Sequence, residues 1–445
     1  MALHLENLTV LSDGAPVAGA QGTLTVDSGD KFQAATARDG RLSFQVDVAP
    51  QFEEWGAELT VTAEGFKPFR GRITMGTGGH ELPAVKLDRM APPARPVHIN
   101  GRRFVHDDGS PFIWRGATGF RAVEKVARGQ EPDVDRFFMG LAEQGVTVVR
   151  VLSMAANMFP LRPDEGVAAL PRTLDLARRR GLHVEVVGLA DTKRYDFDHR
   201  AHIRAVGEIC AASQNAFLEI ANEPIHDTQR DEVGRPDYLA TLRSLVPRPV
   251  PVALGAAHGG DDESRAFIGG DYITVHGARD DGDNGWRFVR HTNEQRVLSE
   301  ETNKPVVNDE PRRDDLSPDK HIAIAVLCRM MGIGDTFHFA AGLHANLPDG
   351  AELGALKARR RGWEMIPPDF FGAYKNTGFA GSPVEEFDGA TAVRMYSSIA
   401  GGDGFTLGLG VSGSDGPRCR WSGGWPTRTV VCNEGGVRVW RVSTR

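Results

Sequence analysis

From residue 111 to 340 of this 445-residue chain, short apolar runs alternate with longer stretches of helical periodicity, and this alternation limits the fold more than any other feature. The strand candidates are "PFIWRG" (111–116), "VTVVRVLS" (146–153), "HVEVVGLA" (183–190), "AFLEIANE" (216–223), "PVPVALG" (249–255), "YITVHG" (272–277), "KPVVNDE" (304–310) and "DTFHFA" (335–340). Between them lie helix candidates such as "DVDRFFMGLAEQG", "ALPRTLDLARRRG", "HRAHIRAVGEICAAS", "RFVRHTNEQRVLSEETN" and "HIAIAVLCRMMG". Near-continuous apolar strands, each followed by a helix, predict a parallel sheet covered on its outer face. Eight such units at a spacing of about 30 residues predict an α/β chain with a (β/α)8 TIM barrel. An open doubly wound sheet is the structural alternative.

The flanks have a different rhythm. Residues 1–89 alternate apolar and polar positions in short runs such as "LHLENLTV", "RLSFQVDV" and "AELTVTAEG", with Gly, Asp and Pro between them. This pattern predicts an N-terminal β-sandwich domain. "DGAPVAGAQGTLTV", "ATARDGRLSFQV" and "LTVTAEGFKPFRGRITM" resemble the carboxypeptidase regulatory-like (transthyretin-like) accessory domains, which implies a spacer or docking unit without chemistry. The proline-rich "RMAPPARPVHIN" (89–100) marks the boundary. The catalytic barrel is expected over 97–378 and a small C-terminal β-module packed on it over 379–445, from runs such as "TAVRMYSS", "GFTLGLGVSG" and "GVRVWRVS". Gly408, Gly410 and Gly413 satisfy GxGxxG there, but "SDGPRCRWSGG" follows where a dinucleotide site needs a helix, so the match carries no function.

The formal net charge is -7, and either a nucleic acid or an anionic membrane would require a clustered basic surface. Neither partner is expected. The short basic run "KARRRGW" (357–363) reads as a solvated helix face. The N-terminus lacks a basic start followed by an apolar core, and no run approaches the length of a membrane span. Cellular location is left open. Cys210 and Cys328 read as small buried hydrophobes, whereas Cys419 and Cys432 flank a hairpin-like segment in which a disulfide is feasible. No cysteine spacing suits zinc.

In a β/α barrel the chemistry sits where strands end, at their C-terminal face. "FLEIANEP" brings Asn222 and Glu223 there from the fourth strand, and "KPVVNDEP" brings Glu310 from the seventh. Two carboxylates thus converge over the mouth from nearly opposite sides. Glycosidic bond cleavage requires such a pair, one to protonate the leaving oxygen and one to attack or stabilise the anomeric carbon. Asp309 adjoins Glu310 and becomes the inward residue if the register shifts by one.

"ANEP" on the fourth strand with a lone Glu on the seventh resembles the clan A glycoside hydrolases, the cellulase-like and mannanase-like retaining enzymes. The opening "INGRRFVHDDGSPFIWRGATGF" is also similar to that clan's entry, a hairpin leading into a first strand that ends in Arg-Gly. The resemblance covers 97 to about 375 and implies a carbohydrate substrate with β-linked glycosides. It implies Glu223 as general acid/base, Glu310 as nucleophile, Asn222 as donor to the sugar 2-hydroxyl, and Arg150 as the cation that keeps the nucleophile ionised. It further implies His276 lining the catalytic subsite. His258 and His338, near the ends of the fifth and eighth strands, are additional substrate-binding candidates, and Asp191, Asn157 and His226 are weaker ones.

The chain also departs from the clan. A Tyr two residues after the sixth-strand His is replaced by Ala278, and the Trp that often ends the eighth strand is replaced by "TFHFAAGLHAN". No organic cofactor is implied. "RDDGDNGW" (279–286) is acidic but lacks the spacing of a calcium loop, so no metal is expected. The departures support one rival reading, a non-catalytic carbohydrate-binding or structural protein on a glycosidase-like barrel. Sugar, linkage, endo or exo action and oligomeric state have no readable code.

Overall fold

The computed structural model describes residues 2–12, 15–47, 54–63, 66, 69–76, 84–87, 93–257, 265–277, 288–310 and 318–366. It also gives the backbone of five later strands, 384–387, 391–400, 403–409, 428–434 and 437–443. The chain divides into two compact units, Met1–Pro92 and Pro93–Arg445.

In the first unit, strand Ala2–Ser12 pairs with Arg41–Asp47 and Ala15–Pro16 antiparallel and with Val85–Lys86 parallel. A second antiparallel sheet runs in the order Lys31–Ala35, Gln21–Val26, Glu54–Thr62, Phe69–Gly76. Alternate residues of both sheets, Leu8, Val10, Leu42 and Phe44 from one and Leu24, Ala57, Leu59 and Val61 from the other, form one apolar cluster. The period-two pattern in the sequence therefore tracks the buried faces.

The second unit contains eight parallel strands in a nearly closed barrel: Arg115–Thr118, Val148–Leu152, His183–Leu189, Ala216–Ala221, Val252–Ala253, Ile273–Val275, Val306–Asn308 and Gly334–Phe337, numbered first to eighth here. The first strand pairs with the eighth, and the ladder is interrupted only between the fifth and sixth. There the N–H groups of Asp271 and Tyr272 donate to the Val252 carbonyl. Pro249 and Pro251 explain the two-residue fifth strand, since neither has a backbone N–H to give the ladder.

The first strand also differs from its expected span, starting at Arg115 where the sequence pattern ends it. Its apolar forerunners close the bottom of the barrel instead. Phe112 and Trp114 pack with Phe104, Val148, Phe217, Tyr272 and Val307 into one buried cluster. Phe104 comes from the hairpin Val97–Asn100/Arg103–His106, whose two-residue turn starts with Gly101 at φ 57°, a conformation glycine adopts without penalty.

Helices follow the strands. Helix Pro163–Arg179 begins well before its expected start, with Pro163 in its first turn and Pro171 inside. Its Gly166 lies against the second strand's exit so closely that a Cβ there meets the Ser153 carbonyl oxygen at 1.7 Å. Helix His199–Ser213 matches its expected span, with the Asp198 carboxylate accepting from the N–H groups of Arg200 and Ala201 as an N-cap. The basic run at 357–363 lies in helix Gly350–Met365 and is not wholly solvated, which corrects the expectation of a solvent face. Arg359 is fully buried, paired with Asp335 and bonded to His321 Nδ1 at 3.1 Å, because the inward side of this helix packs behind the eighth strand. Trp363 is buried too and donates to Asp335 Oδ2.

The five later strands form one antiparallel sheet that packs against helix Pro318–Met331. Cys210 and Cys328 are free and buried. Cys419, the segment 279–286 and the glycines 410 and 413 lie outside the described residues. No helix among the described residues is long and apolar enough to cross a membrane.

Candidate active site

The barrel interior changes from apolar at the bottom to charged at the top. On the second strand, inward-facing Arg150 stands beside Glu185 of the third in register. The fourth strand adds Glu219, two residues beyond Phe217, so both point inward. All three side chains are completely buried. Arg150 Nε and Nη2 donate to Glu219 Oε2 at 3.0 and 2.7 Å, and Nη2 also donates to Asn222 Oδ1 at 2.9 Å. Its Nη1 donates to Glu310 Oε1 at 2.5 Å, and the guanidinium carbon lies 5.4 Å from the centre of the Phe120 ring.

One guanidinium thus holds the base of the site together. Burial opposes its charge, but Glu219, Asp309, Glu310 and Glu185 outweigh burial and hold its pKa well above the ordinary arginine value. Four carboxylates around one cation in a dry interior cannot all remain ionised. Burial, with the charge of Glu219, pushes Glu185 up to about 8 against the pull of Arg150, while the Tyr272 hydroxyl donates to Glu185 Oε1 at 2.9 Å. Burial likewise raises Asp309 well above the carboxylate range, Arg150 opposing and Glu219 reinforcing.

Glu185 has an ordinary value of 4.5 and a raised one in the folded chain, so the folded state binds its proton more tightly. Its contribution to stability is fully present below the ordinary value and is lost as pH rises through about 8. Glu185→Gln keeps the shape without the charge and is expected to gain melting temperature over the native chain as pH goes from about 5 to about 9. Parallel melting curves at all pH values contradict the assignment.

Above this layer the chain turns sharply at Asn222–Pro224. The Asn222 N–H donates to the Leu189 carbonyl at 2.9 Å, and Gln229 Nε2 donates to the Asn222 carbonyl at 2.5 Å. Glu223 has φ 41°, a left-handed conformation that costs a non-glycine residue about 1–3 kcal/mol. Such strain persists only where the surroundings enforce it. Glu223 Oε1 lies 3.3 Å from His276 Nδ1, and its side chain keeps 13% exposure whereas Glu310 keeps 4%. A carboxylate oxygen of Glu223 and one of Glu310 lie within 4.8 Å of each other, both near His276. His338 Nε2 lies 4.0 Å from Glu310 Oε2, and its Nδ1 shares a 2.9 Å hydrogen bond with Thr118 Oγ1.

The structure therefore gathers Glu223, Glu310, Asn222, Arg150, His276 and His338 into one contiguous site. His258 lies outside the described residues. Asp191 ties loops together instead, accepting from the N–H groups of Ala156 and Asn157 and from Asn157 Nδ2. Phe337 and Phe339 are completely buried and stack on each other at 4.8 Å, so neither is a sugar platform. Trp114 is part of the bottom plug and Trp363 of the outer core. Glu185, Glu219, Tyr272 and Gln229 belong to the site's support and are not marked by any motif. The triads Glu219/His276/Asp309 and Glu223/His276/Glu310 each bring ligand-type atoms within 4.8 Å. The Arg150 guanidinium already stands 2.5–3.1 Å from Glu310, Glu219 and Asp309 and supplies the positive charge there, so the residues fit an internal cation better than a metal.

A glycoside hydrolase family 5 protein of Bacteroides vulgatus superposes with a TM-score of 0.50 at 15% identity, over 71% of this chain and 82% of its own. A second Bacteroides vulgatus protein, assigned provisionally to the glycoside hydrolases, superposes with a TM-score of 0.50 at 15% identity over 97% of this chain and 86% of its own. At 15% identity both likenesses are of fold alone. No family model matches the sequence, and no curated protein does.

Proposed function

We propose that the chain is a retaining O-glycoside hydrolase that cleaves β-linked glycans or glycosides by double displacement, with Glu310 as nucleophile and Glu223 as general acid/base. The observation that carries the reading is the pair of carboxylates with oxygens within 4.8 Å of each other at the barrel mouth. Retention needs the two groups about 5–5.5 Å apart, whereas inversion needs room for a water at about 6.5–9.5 Å. The surroundings divide the labour. Glu310 receives a charge-assisted bond from Arg150, which favours its ionised form, while Glu223 stands in the more open position where a leaving oxygen can reach it. Asn222, held by Arg150 Nη2 through its Oδ1, has its amide nitrogen available for the sugar 2-hydroxyl. His338 and His276 line the same subsite.

The fold likeness to a glycoside hydrolase of family 5 supports this reading. In it, residues 1–89 are a carboxypeptidase regulatory-like accessory module, 97–378 the catalytic barrel and 379–445 a β-module. The test is reducing-sugar release from a panel of β-linked glycans and aryl β-glycosides, with Glu310→Gln alongside. Release by the native chain that disappears in the variant is expected. Binding of one glycan without any release supports the rival carbohydrate-binding reading.

A further inference from the structure

Asp309 adjoins the proposed nucleophile yet has no role in the reading above. It is completely buried, and neither of its carboxyl oxygens has a hydrogen-bond partner. Arg150 Nε is 3.1 Å from Oδ2, but that nitrogen gives its hydrogen to Glu219. A carboxylate sealed from water without a donor is neutralised by taking up a proton. The second orphan in this layer is His276 Nε2, in a ring 1% exposed, and it faces Asp309 Oδ1 at 3.6 Å. The ring's other nitrogen meets Glu223 Oε1 at 3.3 Å. One imidazole thus spans the distance from Asp309 to the proposed acid/base. The charged groups facing it are Glu223, Asp309, Glu310 (3.8 Å from Nε2) and Glu219, with Arg150 bound to the last two.

We propose that Asp309 is a positioning residue that acts on Glu223 through His276, giving its carboxyl hydrogen to Nε2 and thereby placing the ring's own hydrogen on Nδ1, toward Glu223. The raised proton affinity of Asp309 agrees with this arrangement. The neutral ring then donates to Glu223 Oε1 in both steps of the reaction. Within the proposed reaction, Oε2 carries the proton to the departing oxygen and takes one from the incoming water. No proton moves along the chain of groups. The consequence for catalysis rests on the glycosidase reading; the tautomer does not.

The test uses the full chain labelled with 15N-histidine and long-range proton–nitrogen spectra near neutral pH. Among the 14 histidines, the His276 signals are those missing from His276→Gln. A neutral ring protonated at Nδ1 is expected in the native chain and in Asp309→Asn, whose amide still donates, and the Nε2-protonated form is expected to appear in Asp309→Leu. Where a hydrolysed aryl glycoside is in hand, Asp309→Leu also moves the basic limb of kcat/KM upward by about one pH unit, because Glu223 loses the donor that favours its ionised form. A native ring protonated at Nε2 or at both nitrogens overturns the proposal, as does an Asp309→Leu spectrum unchanged from native. If Asp309→Leu fails to fold, the native and Asp309→Asn spectra decide alone, and a shift to Nε2–H in the latter is contrary. The expected tautomer in a chain that hydrolyses no glycoside counts against the hydrolase reading only; an active chain with the opposite tautomer counts against this proposal only.

Discussion

Glu223→Gln is expected to lower kcat/KM by about 10²–10⁴-fold on glycosides with poor leaving groups, the usual contribution of a positioned acid or base. The loss should depend on the leaving group. A nitrophenolate departs without protonation, so formation of the glycosyl-enzyme is spared, but its hydrolysis is not, because the incoming water has lost its base. An initial burst followed by slow turnover is therefore expected on activated aryl glycosides. Azide, a small anion that needs no base, is expected to restore turnover and release a glycosyl azide. The 13% exposure of the Glu223 side chain leaves such an anion a way in. Equal losses for good and poor leaving groups, without rescue, are inconsistent with an acid/base role.

Arg150→Met has the largest expected effect on stability. The guanidinium is completely buried and contacts Glu219, Glu310, Asp309 and Asn222, so its removal leaves buried carboxylates without a cation. Deleting one partner of a buried ion pair costs about 3–5 kcal/mol. Arg150→Lys is not expected to rescue the loss, since an ammonium cannot reach Glu219, Glu310 and Asn222 simultaneously in the planar fork that arginine provides. The penalty should shrink in acid, where the orphaned carboxylates take up protons and no longer need the cation. Urea unfolding at about pH 5 and about pH 8 measures both effects, and a variant as stable as the native chain at both contradicts this account of the site's base.

Much of this architecture is readable from the chain. The strand–helix alternation announces the barrel, and "ANEP" with "NDEP" puts Asn222, Glu223 and Glu310 at strand ends because those positions interrupt apolar runs where the backbone surfaces. The less readable parts have physical reasons. Glu185 and Glu219 lie inside strands that are otherwise apolar, and spacing alone does not tell a buried ionic layer from a solvent-facing residue. The available signal is phase: Arg150, Glu185 and Glu219 all fall on inward positions, which becomes clear only once the register Arg150↔Glu185 and Val187↔Glu219 is known. Asp309 and Glu310 are neighbours whose roles depend on the end of a three-residue strand, Val306–Asn308, after which strict alternation stops and both carboxyl groups come near Arg150. Local pattern also misplaces the first strand, because Phe112 and Trp114 satisfy a strand's apolar demand while packing beneath the barrel. Arg359 reads as a surface charge because its partner Asp335 lies on another element.

Attack by Glu310 on the sugar is the step on which the retaining reading turns. It is tested most directly by trapping: the native chain is incubated with the 2-deoxy-2-fluoro glycoside of the sugar that the substrate panel identifies, digested, and the modified peptide sequenced by mass spectrometry. The fluorine slows both steps by destabilising the oxocarbenium-like transition states, and a good leaving group lets the ester accumulate. One glycosyl adduct on Glu310 and none in Glu310→Gln are expected. An adduct on Asp309 or elsewhere, or hydrolysis whose first-formed product has the inverted anomeric configuration, contradicts attack by Glu310.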